Sequence, residues 1–500
     1  MESNFTNGSP VAATGHNHKH EPNRFAVIPT ALRLRANTEL TGKGVTIAFI
    51  DSGFYPHPDL IQPVNRILAY VDITESDTPI DLLTKAQPET WDWHGTQTSV
   101  AAVGNGFLSE GIYRGLAAEA EVVLIKASAR GRITEPNIAK AFAWIMANRE
   151  RYNIRVVSIS LGGDEDVAYE TNAVDQAAEE AVQAGIVVVV AAGNSGCTNE
   201  HKPVPPANSP SVITVGGYND NNQLNGSVDL YCSSYGPTAN GFLKPEVIAP
   251  AMWVAAPILP NTEFYQRASA LSQLAAAPDY LLNALVSELW QVAEMSPEFA
   301  QAEPQMIRAL VEAKLRESKI VATHYQHVDG TSFAAPIVAS LAAQMLEANP
   351  NLSPAMVKHI LIASADRIPN APAVRQGYGV VNARRAVDMA RREQHQLNGH
   401  HFLPPRMESG KMVFYFHHDE AESVWLVGDF NNWQQAHTRF AKSEAEGIWR
   451  AEIEAPAAGR HEYKLLIDGQ RWRDDPNNAL KAPDNYGGFN SVFYVSQGAK

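Results

Sequence analysis

Cysteine is nearly missing from this chain of 500 residues, which has only Cys197 and Cys232. Two cysteines make no disulfide framework, so the fold must rest on apolar burial, and a structural free thiol at Cys197 is the expectation, with a redox-sensitive thiol as the alternative. Basic charge is in deficit. With 40 Lys and Arg against 54 Asp and Glu, the net charge is −14. That argues against a nucleic-acid partner or an anionic membrane surface, since both attract basic faces. No run approaches the roughly 18 apolar residues of a membrane span. The opening Met1-Glu2-Ser3-Asn4-Phe5-Thr6-Asn7-Gly8 has neither the basic start nor the apolar stretch of a signal peptide. The expectation is a cytoplasmic protein with no membrane and no nucleic-acid partner. The length allows two or three domains and a substantial core.

What the chain does have is four short contexts in a fixed order. Val45-Thr46-Ile47-Ala48-Phe49-Ile50-Asp51-Ser52-Gly53 is an apolar run ending in an acid, the pattern of a buried strand with Asp51 at its end. His94-Gly95-Thr96 opens a helix. Ala191-Ala192-Gly193-Asn194-Ser195-Gly196 supplies a side-chain amide. Gly330-Thr331-Ser332-Phe333-Ala334-Ala335-Pro336 puts Ser332 where a helix begins that runs to about Ala348. Taken singly, each reads as a turn, a loop or a helix cap. Taken together, in the order Asp, His, Asn, Ser, they resemble the subtilisin-like serine proteases over roughly residues 25–393.

The resemblance implies an α/β fold, a doubly wound and mostly parallel sheet. It also implies roles. His94 is the base that takes the proton of Ser332, a poor nucleophile without such help. Asp51 holds the imidazole in the right tautomer, and Asn194 with the Ser332 N–H donates to the oxyanion. Val156 to Gly163 matches the family strand that pairs with a substrate main chain, with Ser160, Leu161 and Gly162 along the peptide. Ala191, Ala192 and Gly193 line the pocket for the side chain before the cut. The segments Pro206 to Gly216 and Lys244 to Pro250 match the family as well, and Gly377 to Ala383 closes the pattern before a last helix to about Glu393. The chemistry requires no cofactor. No calcium loop is recognisable, so the metal question stays open.

Several features depart from that pattern. Gln97 stands where family members often carry a second histidine, a change expected to be tolerated. Residues 262–322 replace a short family connection with an Ala-, Leu-, Glu- and Gln-rich insert. In it Leu281, Leu282, Leu285, Leu289 and Val292 recur at helical spacing after Pro278. The insert reads as a surface-packed helical unit or as a lid beside Ser332. Residues 1–24 read as a flexible tail, too short for an inhibitory propeptide domain, which resembles intracellular family members. Its His16, His18 and His20 read as incidental, with transition-metal binding as the alternative.

Residues 394–409, with Gly399, Pro404 and Pro405, read as a linker. Beyond it the period changes. Val413–Phe416, Ser423–Val427, Ile448–Ile453, Glu462–Ile467 and Val492–Val495 are short alternating or apolar runs separated by turn residues. Residues 410–500 therefore read as an immunoglobulin-like β-sandwich. Val424-Trp425-Leu426-Val427-Gly428-Asp429-Phe430-Asn431-Asn432-Trp433, then His461 to Trp472, Asp475-Pro476 and Asn490, resemble the glycogen-binding modules of kinase beta subunits and of starch- and glycogen-branching or debranching enzymes. The resemblance places an α-glucan site on Trp433, Lys464, Trp472 and Asn490: two rings for stacking, a basic donor and an amide. The plain alternative keeps Trp425 and Trp449 as core and makes the module a packing or dimerisation domain.

The function expected from sequence is a serine endopeptidase acting on polypeptides and targeted to, or regulated by, a glycogen-like α-glucan. The competing expectations are a proteolytically silent scaffold and a protease whose tail mediates oligomerisation. The oligomeric state is not legible.

Overall fold

A computed structural model describes residues 27–393 and 405–495, apart from residues 164, 166, 200, 225, 409, 444–446 and 479. The tail with His16, His18 and His20, and most of the expected linker, lie outside the described residues.

Seven parallel strands form the central sheet: β1 (Thr46–Asp51), β2 (Ile67–Asp72), β3 (Glu121–Lys126), β4 (Ile154–Ile159), β5 (Val187–Ala191), β6 (Ile213–Asn219) and β7 (Val247–Pro250). Their order across the sheet is β7-β6-β5-β4-β1-β3-β2. The strands read as continuous apolar runs because both faces are covered. In β1, Ile47 and Phe49 join the core that holds α1 (Asp92–Val103) and the long α4 (Thr331–Ala348). Ala48 and Ile50 point the other way, into the core with α2 (Glu135–Asn148) and α3 (Ala173–Gln183). This is the expected doubly wound arrangement.

On the α3 side, Asp175 is fully buried against Ser209, whose hydroxyl donates to Asp175 Oδ1 at 2.7 Å. Burial raises its pKa to about 7, the Ser209 bond opposing only in part. Between about pH 4 and pH 7 the folded protein thus keeps a proton that the unfolded chain has released, so stability falls as pH rises through that window. Asp175→Asn is expected to leave the melting temperature near that of the parent at pH 4 and to raise it at pH 8. Thermal melts at the two pH values check this.

The insert contains three helices, Glu263–Ala276, Asp279–Leu289 and Pro304–Glu317. They pack on each other around Leu271, Leu274, Leu282, Val286, Ile307 and Val311, a core separate from those of the sheet. The apolar stripe is rotated from the expected one. Leu282 and Val286 are buried, Leu285 and Leu289 partly so, while Leu281 and Val292 are exposed. The insert rises from strands Val254–Pro257 and Tyr325–Val328, which pair antiparallel just before Ser332.

Cys197 and Cys232 form a disulfide, with Cα atoms 5.3 Å apart and a sequence separation of 35. This corrects the free-thiol expectation. Composition alone gives no sign of the approach, which backbone pairing creates: Gly196 N–H donates to Cys232 O at 2.9 Å.

The C-terminal domain is two antiparallel sheets face to face. One holds β8 (Arg406–Glu408), β9 (Lys411–His417) and β11 (Ile448–Glu454). The other holds β10 (Val424–Gly428), β12 (Gly459–Ile467), β13 (Arg471–Arg473), β14 (Lys481–Pro483) and β15 (Phe489–Val495). Phe414, Phe416, Trp449, Tyr463, Leu465 and Phe493 fill the space between them. Two expectations change here. Residues 406–408, assigned to the linker, are strand β8. Trp425 is not core: it pairs with Leu466 on the outer face, where Arg439 lies over its ring.

The two domains touch. Leu480, Ala482 and Val492 on the outer face of β14 and β15, with Tyr494, pack on Leu243, Ala373 and Val374 of the α/β domain. The Tyr378 hydroxyl donates to Asn477 O.

Candidate active site

Sheet order explains why the predicted residues meet. β1, β4 and β5 are neighbours, and their carboxyl ends deliver Asp51, Ser160–Gly162 and Ala191–Asn194 to one edge, where ligands of open α/β sheets bind. α1 brings His94 over that edge. It can come so close because residue 95 is glycine: a Cβ there would lie 2.2 Å from Gly53 O and 2.9 Å from Asp51 Cβ.

His94 Nδ1 is 2.7 Å from Asp51 Oδ1. Asp51 is 2% exposed, and its carboxylate also accepts from Ser52 N–H at 2.6 Å and from the Thr98 hydroxyl at 3.0 Å. The carboxylate is therefore fixed in place. With Nδ1–H committed to Asp51, the His94 Nε2 lone pair is the one left to act. Burial pulls the His94 pKa down, but the Asp51 charge and hydrogen bond pull it up harder, and the net is a raised pKa.

Ser332 is the second residue of α4, so its N–H is one of the helix's unpaired donors. Pro336 has no N–H to return to the Ser332 carbonyl. The Ser160 hydroxyl donates to that carbonyl instead, at 2.8 Å, and Ser332 Oγ lies 3.4 Å from Ser160 O. Among the described residues Ser332 Oγ makes no hydrogen bond to His94; in structures without substrate, contacts between a nucleophile and its base are often long. Asn194 Oδ1 accepts from Thr331 N–H at 2.9 Å and from the Thr331 hydroxyl at 3.1 Å. That leaves Asn194 Nδ2 as a donor beside Ser332.

An open cleft of about 640 Å³ runs past His94, lined by Asp51, Trp91, Trp93, Arg130, Ile133, Ser160 and Leu161 among others. Ser160 and Leu161 are half-buried in it and Gly162 is exposed. Of the small residues expected to line a pocket, Ala191 and Gly193 are half-open and Ala192 is buried. Gln97 is buried and its Nε2 donates to Pro257 O at 3.0 Å, tying α1 to the base of the insert. Among the described residues no group of three or more His, Cys, Asp or Glu side chains converges as a metal cluster would. No helix of those residues is long and apolar enough to cross a membrane.

The geometry agrees with the comparisons. Residues 42–379 match the Subtilase family. The chain is a subtilase. Serine protease AprX of Bacillus subtilis strain 168 is 33% identical over 363 residues, covering 71% of this chain and 68% of that protein. Minor extracellular protease Epr of the same organism is 33% identical over 190 residues, 37% of this chain and 25% of its own length. A protease structure from Pseudoalteromonas arctica PAMC 21717 aligns at 23% identity with a TM-score of 0.46, covering 75% of this chain and 96% of that one. This subtilase is thus a serine endopeptidase, a hydrolase acting on polypeptides. Residues 399–484 match Carbohydrate-binding module 48 (Isoamylase N-terminal domain), so the β-domain of the subtilase is a carbohydrate-binding module.

In that module Lys464 and Leu466 lie on the outer face of β12, opposite the core residues Tyr463, Leu465 and Ile467. Register places Trp472 and Trp425 on either side of Leu466. Trp433 follows Asn432 in a turn where both residues have positive φ, 50° and 58°. Trp433 is 38% exposed and Trp472 44%. Lys464 is ion-paired to Asp484, and Asn490 Nδ2 donates to Glu462 Oε2 at 2.7 Å. The β14–β15 half of the same face is the half packed on the protease domain.

The sequence did not reveal the Ser160–Ser332 clamp, the Thr331 bonds to Asn194 or the role of Thr98. The one local sign was Pro336, whose missing N–H frees the Ser332 carbonyl.

Proposed function

We propose that this subtilase cleaves peptide bonds through Asp51, His94 and Ser332, with Asn194 and the Ser332 N–H as oxyanion donors. The observation that carries the reading is the Asp51–His94 bond at 2.7 Å, made by a carboxylate already held from two other sides. Ser332 Oγ attacks the scissile carbonyl carbon while His94 Nε2 takes its proton. The tetrahedral oxyanion accepts from Asn194 Nδ2 and the Ser332 N–H. His94 then gives the proton to the leaving amine, and water repeats the sequence on the acyl-enzyme. The peptide lies along Ser160–Gly162 as an added strand. A fluorophosphonate probe tests the reading: it labels Ser332 in the parent protein and not in His94→Ala. Labelling that survives the loss of His94 would overturn it.

The neutral form of His94 is the base, so kcat/KM falls as pH drops and His94 protonates. Because Asp51 raises the pKa, the midpoint of the acid limb is expected above about 6.5, the ordinary histidine value. A pH–rate profile with a small peptide amide measures it.

The carbohydrate-binding module is proposed to hold a glycogen-like α-glucan on Trp433, Trp472, Lys464 and Asn490. An exposed ring, Trp472, on the sheet face that carries Lys464, and a second exposed ring, Trp433, in the turn after β10 support this, since pyranose C–H faces stack on indoles. The glucan localises the protease and takes no part in the chemistry.

A further inference from the structure

We propose that the Cys197–Cys232 disulfide positions Asn194 for oxyanion binding, and that reduction by a dithiol removes part of that contribution to kcat. The inference rests on the oxyanion role proposed for Asn194.

Asn194 is exposed and sits in a turn rather than a regular element. Its Oδ1 is held by Thr331, but its backbone is held by the segment Cys232–Ser234. Ser234 N–H donates to Gly193 O at 2.9 Å, Gly196 N–H to Cys232 O at 2.9 Å, and Ser195 N–H to Ser234 Oγ at 3.2 Å. The approach is tight enough to require glycine. Gly193 has φ 98°, and a Cβ on it would lie 2.8 Å from Ser234 Oγ; one on Gly196 would lie 1.9 Å from Ser233 O. The segment is itself anchored to the sheet, because Gly217 N–H donates to Ser233 Oγ at 2.6 Å. The disulfide closes the outer end of this ladder, three residues past Asn194.

These bonds are few; Ser233, Ser234 and Gly196 are buried, while the outer end of the turn at Cys197 is exposed. A hydrogen bond makes only a small net contribution, so the three that hold the turn fix it less firmly once the covalent link closing its exposed end is broken. An oxyanion donor acts only within about 2.7–3.1 Å of the charge, so a shift of the turn costs rate without unfolding the core. Cys197 is exposed, which lets an external thiolate attack. The balance is a two-electron exchange: the dithiol gives up two electrons and two protons and becomes a disulfide, the S–S bond breaks, and Cys197 and Cys232 become thiols.

The test compares parent, Cys197→Ser/Cys232→Ser and Asn194→Ala, alone and combined, on a small peptide amide, with near-UV circular dichroism confirming the fold. Treating the parent with dithiothreitol is expected to lower kcat by about five- to thirtyfold, less than the hundred- to thousandfold limit for losing the amide. KM should change less than kcat, the acid limb set by His94 should not move, and reoxidation should restore the rate. The serine pair should show the same loss and ignore dithiothreitol. In the Asn194→Ala background, removing the disulfide should change kcat by less than about twofold, since interacting groups are not additive. An equal loss in both backgrounds, or an unchanged kcat in the reduced parent, overturns the positioning role. An unchanged kcat in Asn194→Ala itself overturns the oxyanion reading, and the proposal with it.

Discussion

Ser332→Ala is expected to lower kcat for peptide hydrolysis by about 10⁶-fold and to abolish fluorophosphonate labelling. Triad groups act as a unit, so His94→Ala should fall comparably far and Asp51→Ala by about 10⁴-fold. The fold should survive, because among the described residues the Ser332 hydroxyl is tied to its surroundings only by a long 3.4 Å bond to Ser160 O. The carbonyl of residue 332 keeps its bond from the Ser160 hydroxyl, and α4 keeps its buried face. Asn194→Ala removes a donor rather than a reactant. It should retain labelling and lose about a hundred- to a thousandfold in kcat. Single-turnover and steady-state rates on one peptide amide distinguish these cases. Full activity in Ser332→Ala would remove the mechanism.

Trp433→Ala combined with Trp472→Ala is expected to eliminate co-sedimentation with glycogen while leaving small-peptide cleavage near the parent rate. The rings are exposed and contribute little to the sandwich core, whose apolar filling lies on the other face of β10 and β12. Lys464→Ala should weaken binding less than the double change, since a single donor contributes about 0.5–1.5 kcal/mol net. Asp484 would still accept from the N–H groups of Tyr486 and Gly488. The assay is best run on the full chain. Residues 405–500 alone carry a complete core, but would expose Leu480, Ala482, Val492 and Tyr494, now covered by the protease domain. If the full chain ignores glycogen, amylose and cyclic glucans alike, the module acts through its protein contacts.

The parts of this fold that were legible in sequence are those written locally. An apolar run ending in Asp51, small residues before Asn194 and Gly-Thr before Ser332 each report a strand end or helix start. Sheet topology then brings those ends together. Contacts made between distant segments left no local trace. The disulfide joins cysteines 35 residues apart, and nothing beside either one announces it. Val492 reads as an ordinary strand residue, because alternation says that a face is buried but not by what, while Leu480 and Ala482 fall outside every strand run read from sequence. Trp425 illustrates the same limit: in sequence it has the look of core, and its outward direction is set by register with Leu466. The insert's helix was legible, but its buried face was not, since Leu281 and Leu282 fit the same spacing and only packing chooses Leu282.

The contact of Tyr378 with Asn477, together with the apolar patch around Val492, makes the module a mount rather than a tether. A protease on a long flexible linker would sample a sphere around its anchor, and any protein entering that volume would meet it. On the glucan proposed for the module, a mounted one would face a fixed direction from the polymer surface. Its working concentration is then high for chains lying along the same glucan and low for those free in solution, an advantage set by geometry rather than by the cleft's own affinity. Under the proposed glucan binding, selectivity would be written partly in the orientation of the two domains, so that a protein carried on the polymer would be a substrate by address before it is one by sequence.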